Sequence, residues 1–298
     1  MKEIMVLVKR NIKLFFKDKG MFWVSLITPI ILLVLYATFL ADVYRDSIIQ
    51  AMPAGLLPEK LINGCVAGQL FSSLLAVSCV TVSFCSNGLM VQDKTTGVKN
   101  DLLMTPVKES KLAVGYYAAT VCSTLIICAV ATIACFVYMA ISGWYLSVGD
   151  VVLIFVDIFL LVLFGSALSS LINFFLTSQG QNSAVGSIVS SGYGFICGAY
   201  MPISQFGEGL QAVLSFLPGT YGTSLIRNHS LRGVFEEMSA LGTPEAAMEG
   251  LKGAVDCSFE FFGNPVSVGA MYAVVIGWIA LLLGIYVLLH IRKRHQKK

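Results

Sequence analysis

Six apolar stretches recur along this chain, and each is long enough to cross a bilayer as a helix. Met21 to Leu40 is the first, twenty residues without a charge, which at about 1.5 Å per residue matches a hydrocarbon core of about 30 Å. Gly64 to Met90, Leu112 to Ile141, Val151 to Leu176, Ala184 to Tyr200 and Val266 to Leu289 follow. In lipid the backbone must satisfy its own hydrogen bonds, so such segments are expected as α-helices. Only 12% of the 298 residues are charged while 56% are hydrophobic, which leaves no room for a large water-soluble domain. The expected fold is an all-α polytopic membrane protein with six spans and both termini on one side.

Charge decides which side that is. Fifteen of the 20 Lys and Arg residues lie before Met21, between Gln92 and Lys111, or after His290, and five lie on the other side. The positive-inside rule then puts both termini in the cytoplasm. The net charge of +3 is no nucleic-acid signal, because the basic residues collect at membrane edges rather than in one patch.

Residues 1–19 are too charged to span. On a helical wheel Ile4, Val8, Ile12 and Phe15 fall together, with Lys9, Lys13 and Lys17 opposite, which predicts an interfacial amphipathic helix. A cleaved leader is the lesser reading, since the apolar run after it reaches full membrane length without a small-residue cleavage site. Pro29 is a candidate kink in the first span, and a polar segment is expected from Asp42 to Asn63. Between the fifth and sixth spans, residues 201–265 form the one large outer segment. Leu210, Val213, Leu214 and Leu217 repeat at helical spacing, and Leu225-Ile226 follow Pro218-Gly219, so two short amphipathic helices dipping into the outer interface, re-entrant in form, are expected. Glu236, Glu237, Glu245, Glu249, Asp256 and Glu260 read as a solvated acidic surface. Seven of the eight cysteines lie inside apolar segments and read as small buried hydrophobes, with Cys257 alone outside.

Residues 91–111 are the polar loop after the second span. There Thr105-Pro106 reads as a helix start, with Thr as the cap and Pro at the first position, where its missing N–H costs nothing. Asp101-Leu102-Leu103-Met104 puts apolar side chains beside it, a surface suited to grip another protein; an ordinary basic loop is the bland alternative. The order Gly97, Asp101-Leu102-Leu103, Pro106-Val107, Gly115 resembles the G-x-x-x-x-LL-x-x-P-V … G-K signature that follows the second membrane helix of ABC type 2 transporter permeases. It departs from that signature at Gln92-Asp93-Lys94, where a Glu followed by basic residues is common, and at Tyr116, where Lys is common. Pro202, Pro218, Arg227 and Gly233 resemble the same family's P … NP … R … G tract, with Leu217 in place of Asn.

The resemblance implies the permease subunit of an ABC exporter, a dimer with a second copy or a sister permease, worked by cytosolic ABC ATPase subunits. It implies that Leu102, Leu103, Thr105, Pro106, Val107, Lys108 and Glu109 couple to the ATPase. No G-x-x-x-x-G-K-[ST] is present, so this chain has no phosphate cradle of its own, and Mg-ATP is expected on the partner. Asn182, Gly186, Ser190, Gly194 and Gly198 form a small-residue stripe at every fourth position. Gln69, Ser72 and Ser73 belong to a polar face of the second span that is expected to meet protein or a hydrated path. The residues leave structural glue and pathway lining open, and the resemblance favours the pathway. Asp157 is the one ionisable residue well inside a span, with no transmembrane basic partner evident in the sequence, and is a candidate cation site. His229, His290 and His295 are far apart in sequence, the latter two in the basic tail, where contact with lipid headgroups is expected. Two further classes stay open: an ATP-independent transporter or channel using Asp157, and a membrane anchor.

Overall fold

The computed structural model describes residues 2–51, 57–258, 260–261 and 264–295. Its architecture follows from one helix enclosed on every side. That helix, α4, Glu59–Thr95, carries Gln69, Ser72, Ser83 and Asn87 among its apolar residues, side chains that are costly against lipid, and it is buried along nearly its whole length. Its 37 residues rise about 55 Å, well beyond the hydrocarbon core. Around it stand α2 (Lys19–Leu35), α6 (Glu109–Ser142), α7 (Val148–Phe175), α8 (Gln179–Ile196) and α10 (Pro218–Ala240), while α12 (Val268–His295) packs on α7 and α10.

Among the described residues, five helices are long and apolar enough to cross a membrane. They are Lys19–Asp46, Glu59–Thr95, Glu109–Ser142, Val148–Phe175 and Val268–Arg292, which makes the chain a multi-pass membrane protein. The expected fifth span is a helix, but it lies five residues earlier than the sequence suggests and is not among these five. It ends at Ile196, and Gly198 turns the chain at φ +71°. Its Ser and Gly content makes it less apolar than those five.

The ends of several elements also move. The first span continues past Leu40 through a π-helical turn at Tyr36–Leu40 into α3, Ala41–Ala51, so the polar segment expected from Asp42 is helical there. Ion pairing supports that extension, because Arg45 holds Glu59 at 2.5 Å across the connection. Residues 52–56 lie outside the described part.

The outer segment departs further. A short helix α9, Glu208–Leu214, leaves Leu210 and Val213 exposed as an interfacial helix would. The second expected amphipathic helix is instead α10, a 23-residue helix buried on most sides. Gly219 packs on Tyr193 and Gly222 on Leu161, thirteen residues into α7, whereas Gly233 lies against the Tyr145 carbonyl before α7 begins. The start of α10 is thus deep in the bundle and its end is at the face opposite the termini. Then follow α11, Glu245–Ala254, and a two-residue antiparallel hairpin, Glu260–Phe261 with Asn264–Pro265.

Polar side chains of α4 bond to other helices of the same chain. Asn87 Nδ2 donates to Ser169 at 3.0 Å and to Ser170 at 2.9 Å, and Asn173 Nδ2 donates to the Asn87 carbonyl at 3.0 Å. Ser83 bridges Thr124 and Ser166, each at 3.3 Å. Where this seam passes Gly165, α7 and α4 nearly touch. A Cβ there would lie 2.9 Å from the Cys79 carbonyl and 3.0 Å from Val80 Cα, both backbone atoms that cannot swing aside. Gly165→Ala is expected to cost about 1–3 kcal/mol through overpacking. A lowered thermal midpoint in mild detergent would register it; an unchanged midpoint would mean that α7 slides freely on α4.

Candidate functional site

The end of the bundle that carries both termini is tied together by charge. The helix α1, Lys2–Lys17, turns Lys9, Lys13 and Lys17 outward as expected, but its buried face is rotated: it buries Leu7, Asn11 and Phe15, while Ile4, Val8 and Ile12 are half-buried. Arg10 grips both oxygens of Asp93 near the end of α4, at 2.7 and 3.2 Å, and the Tyr116 hydroxyl of α6 donates to the same carboxylate at 2.6 Å. Asp93 in return raises the Arg10 guanidinium above its usual range. Lys111 holds Glu3 at 2.7 Å and keeps that carboxyl below the usual carboxylate range, chiefly through the hydrogen bond. Lys94 caps the last carbonyls of α7, donating to Asn173 at 2.6 Å, Phe174 at 2.9 Å and Leu176 at 3.3 Å. Cations are favoured at a helix C-terminus, where such carbonyls have no partner within the helix. The interfacial helix α1 and the second, third and fourth spans therefore meet at one charged junction.

From that junction the chain makes α5, Val98–Met104. Gly97 ends α4 with φ +85°, a conformation that glycine adopts at no steric cost. The helix expected to begin at Thr105-Pro106 is therefore misplaced. Thr105 closes α5 in extended conformation, its hydroxyl donating backward to the Leu102 carbonyl at 2.6 Å, and the next helix begins at Glu109. Packing explains the shift. Leu102, Leu103 and Val107 lie on the buried cluster of Leu7, Met90, Leu112 and Tyr116, so the apolar pair nucleates the helix ahead of the proline.

The seven expected coupling residues consequently divide. Leu102, Leu103 and Val107 anchor the segment, and Glu109 pairs with Lys99 of α5 at 3.2 Å. Thr105, Pro106 and Lys108 are exposed, together with Met104, which is 88% exposed. Met104 thus stands out into solvent from a short helix anchored by its leucines.

The residues expected to pack or to line a path are divided as well. Gln69, Ser72 and Ser73 are buried within this one chain, and the Gln69 amide has no hydrogen-bond partner. Asn182, Gly186 and Ser190 border a groove of about 450 Å³ between α2 and α8, opposite Met21, Val24 and Thr28. Gly194 is covered by the Tyr200 ring and faces no groove.

Two buried polar networks were hidden from the sequence. Asp157 has a basic partner after all: His229 Nδ1 lies 2.6 Å from its Oδ2, and the Tyr272 hydroxyl donates to Oδ1 at 2.6 Å. The network joins α7, α10 and α12. His229 is 72 residues away in sequence, so only the fold makes the pair. His290, expected at headgroups, packs on the Phe174 and Tyr286 rings at 4.9 and 4.5 Å. The side chain of His295 lies outside the described residues.

Asp256 departs from the acidic surface assigned to it. It is buried, at φ +53°, and pairs with Arg227 at 3.0 Å, while Glu236, Glu237, Glu245 and Glu249 are exposed; the side chain of Glu260 is not among those described. Arg227 is only 1% exposed and also donates to Ser73 and to the Gly198 carbonyl. Burial pushes the Asp256 carboxyl up, against the pull of Arg227 and of the Ile203 and Ser204 amides. Cys257, expected outside the membrane, is buried beside it.

A bundle of membrane-crossing helices around one buried helix, with an anchored strip at the end that bears both termini, makes this a multi-pass membrane protein. The ABC-2 type transporter family model matches residues 2–229, and the chain belongs to that family. Comparison with curated proteins gave no match.

Proposed function

We propose that this chain is the permease subunit of an ATP-driven exporter of the plasma membrane, with both termini cytoplasmic. The observation that carries the reading is the strip Met104 to Lys108, held outward while Leu102, Leu103, Val107 and Glu109 fix it to α1 and α6. Cytosolic ABC ATPase subunits dock on that strip and hold the Mg-ATP. Closure of the ATPases pushes α5, and the junction of Arg10, Asp93, Tyr116 and Lys94 passes the push to α1 and the second, third and fourth spans. A second copy or a sister permease faces the groove of α2 and α8, and the path runs between the two. The chain crosses six times, the sixth crossing being completed by α8 with the re-entrant α10. The family match and the basic face support this arrangement.

Purification of the tagged protein from its native membrane in mild detergent tests the reading. A stoichiometric ATPase is expected to co-purify with Mg-ATP hydrolysis, and Met104→Asp combined with Pro106→Asp is expected to remove most of it while the permease stays monodisperse. An ATP-inert preparation, or a complex indifferent to both substitutions, would overturn the assignment. The buried Asp157 and His229 pair favours a second reading, an ion-coupled transporter, for which gradient-driven flux in liposomes would be abolished by Asp157→Asn.

A further inference from the structure

A second groove, of about 450 Å³, opens between α6 and α12 at the end of the bundle that carries the termini. Its walls are apolar, with Val114, Leu283 and Val287 among them, and its rim is polar, with Lys108 and Ser110. That volume falls in the range of about 300–1,000 Å³ typical of ligand sites. Three independent features converge on the rim. Lys108 is exposed and places an ammonium group there. The first turn of α6, a 34-residue helix, is capped by no side chain, and the charge of its one acid, Glu109, is offset by Lys99, so the amides there still favour an anion. Tyr286 lines the same groove and is 4% exposed, yet its hydroxyl has no hydrogen-bond partner, a costly omission in an interior. The only acid among the lining residues, Glu109, is paired with Lys99 at 3.2 Å.

We propose that this groove is a binding site for an anionic phospholipid, with an acyl chain against Val114, Leu283 and Val287 and the phosphate at Lys108, the α6 amides and the Tyr286 hydroxyl. An apolar slot ending in a cationic rim at the interface matches that amphiphile, and basic pockets between membrane helices are suited to such headgroups. A water-soluble anion would leave the slot empty. The site shares Lys108 with the strip proposed to meet the ATPase, whereas Tyr286 and Val114 lie outside that strip, so substitutions there test the groove independently of docking.

Native mass spectrometry of the purified protein, with whatever partners it retains, tests this by titrating phosphatidylglycerol against phosphatidylcholine of the same chain length. Phosphatidylglycerol is expected to bind about tenfold more tightly. Lys108→Gln and Tyr286→Phe are each expected to reduce that preference severalfold, and Val114→Trp, an outward substitution that fills the slot without touching the core, to remove tight binding of either lipid. Equal binding of the two lipids, or a preference that survives both rim substitutions, would overturn the proposal. So would binding indifferent to Val114→Trp, or a doubled mass abolished by it, which would give the groove to a second copy of the chain.

Discussion

Asp256→Ala is expected to cost the folded protein about 3–5 kcal/mol, the penalty for stranding a buried charge. Arg227 is almost wholly enclosed and lies between α4, the turn after α8 and the segment after α11. With the carboxylate gone, its guanidinium keeps only Ser73 and one carbonyl, while the amides of Ile203 and Ser204 lose their acceptor. The backbone adds a smaller increment, because alanine resists the positive φ at this position more than aspartate does. Two comparisons separate these effects. Asp256→Asn keeps the backbone tolerance and an acceptor, so it is expected to be milder. Arg227→Met with Asp256→Ala removes both charges, so the pair is expected to lose much less than the two single substitutions added together. Thermal midpoints in detergent give the order. Equal losses for Asp256→Ala and the double variant would show that the charge was never isolated.

On the proposed coupling to a partner ATPase, Glu109→Lys is expected to cut transport per ATP hydrolysed about tenfold, equivalent to about 1.4 kcal/mol of coupling free energy. Both side chains of the Lys99 and Glu109 pair are largely covered, at 13% and 19% exposure, so the pair is shielded more than a surface ion pair. Reversal sets two ammonium groups against each other where α5 is tied by charge to α6. The helix then keeps its apolar anchor of Leu102 and Leu103 but loses its fixed angle, so ATPase motion is absorbed locally. Lys99→Glu with Glu109→Lys restores opposite charges and is expected to restore most coupling, measured as substrate export against phosphate release in proteoliposomes. A double variant no better than the single one would mean that Glu109 acts through direct contact with the ATPase.

Part of this molecule was readable from residue order. The spans at Met21, Gly64, Leu112, Val151 and Val266 rest on runs of apolar side chains, a local property that no distant residue alters. The stripe of Lys9, Lys13 and Lys17 was equally local. The short helix in the loop after α4 was legible as to region but not register. Thr105-Pro106 is a valid helix start in isolation, yet the burial of Leu102 and Leu103 on Leu7 and Leu112 outweighed a cap that contributes only about 1 kcal/mol. In α8 the small residues were visible as a stripe, but which of them meet a groove and which are covered, as Gly194 is by Tyr200, was not.

By itself, then, the sequence determined a helical membrane protein, the positions of most of its spans and the face that carries the basic residues, because hydropathy and charge act at each residue where it stands. Tertiary structure decided the pairing of Asp157 with His229, of Arg227 with Asp256 and of Arg10 with Asp93, and it turned an expected surface helix into the buried α10. The reason is the cost of an unpaired polar group in an apolar interior. That cost obliges each buried charge to find a partner, but which one it finds depends on what the packing of α4, α7, α10 and α12 brings within about 3 Å.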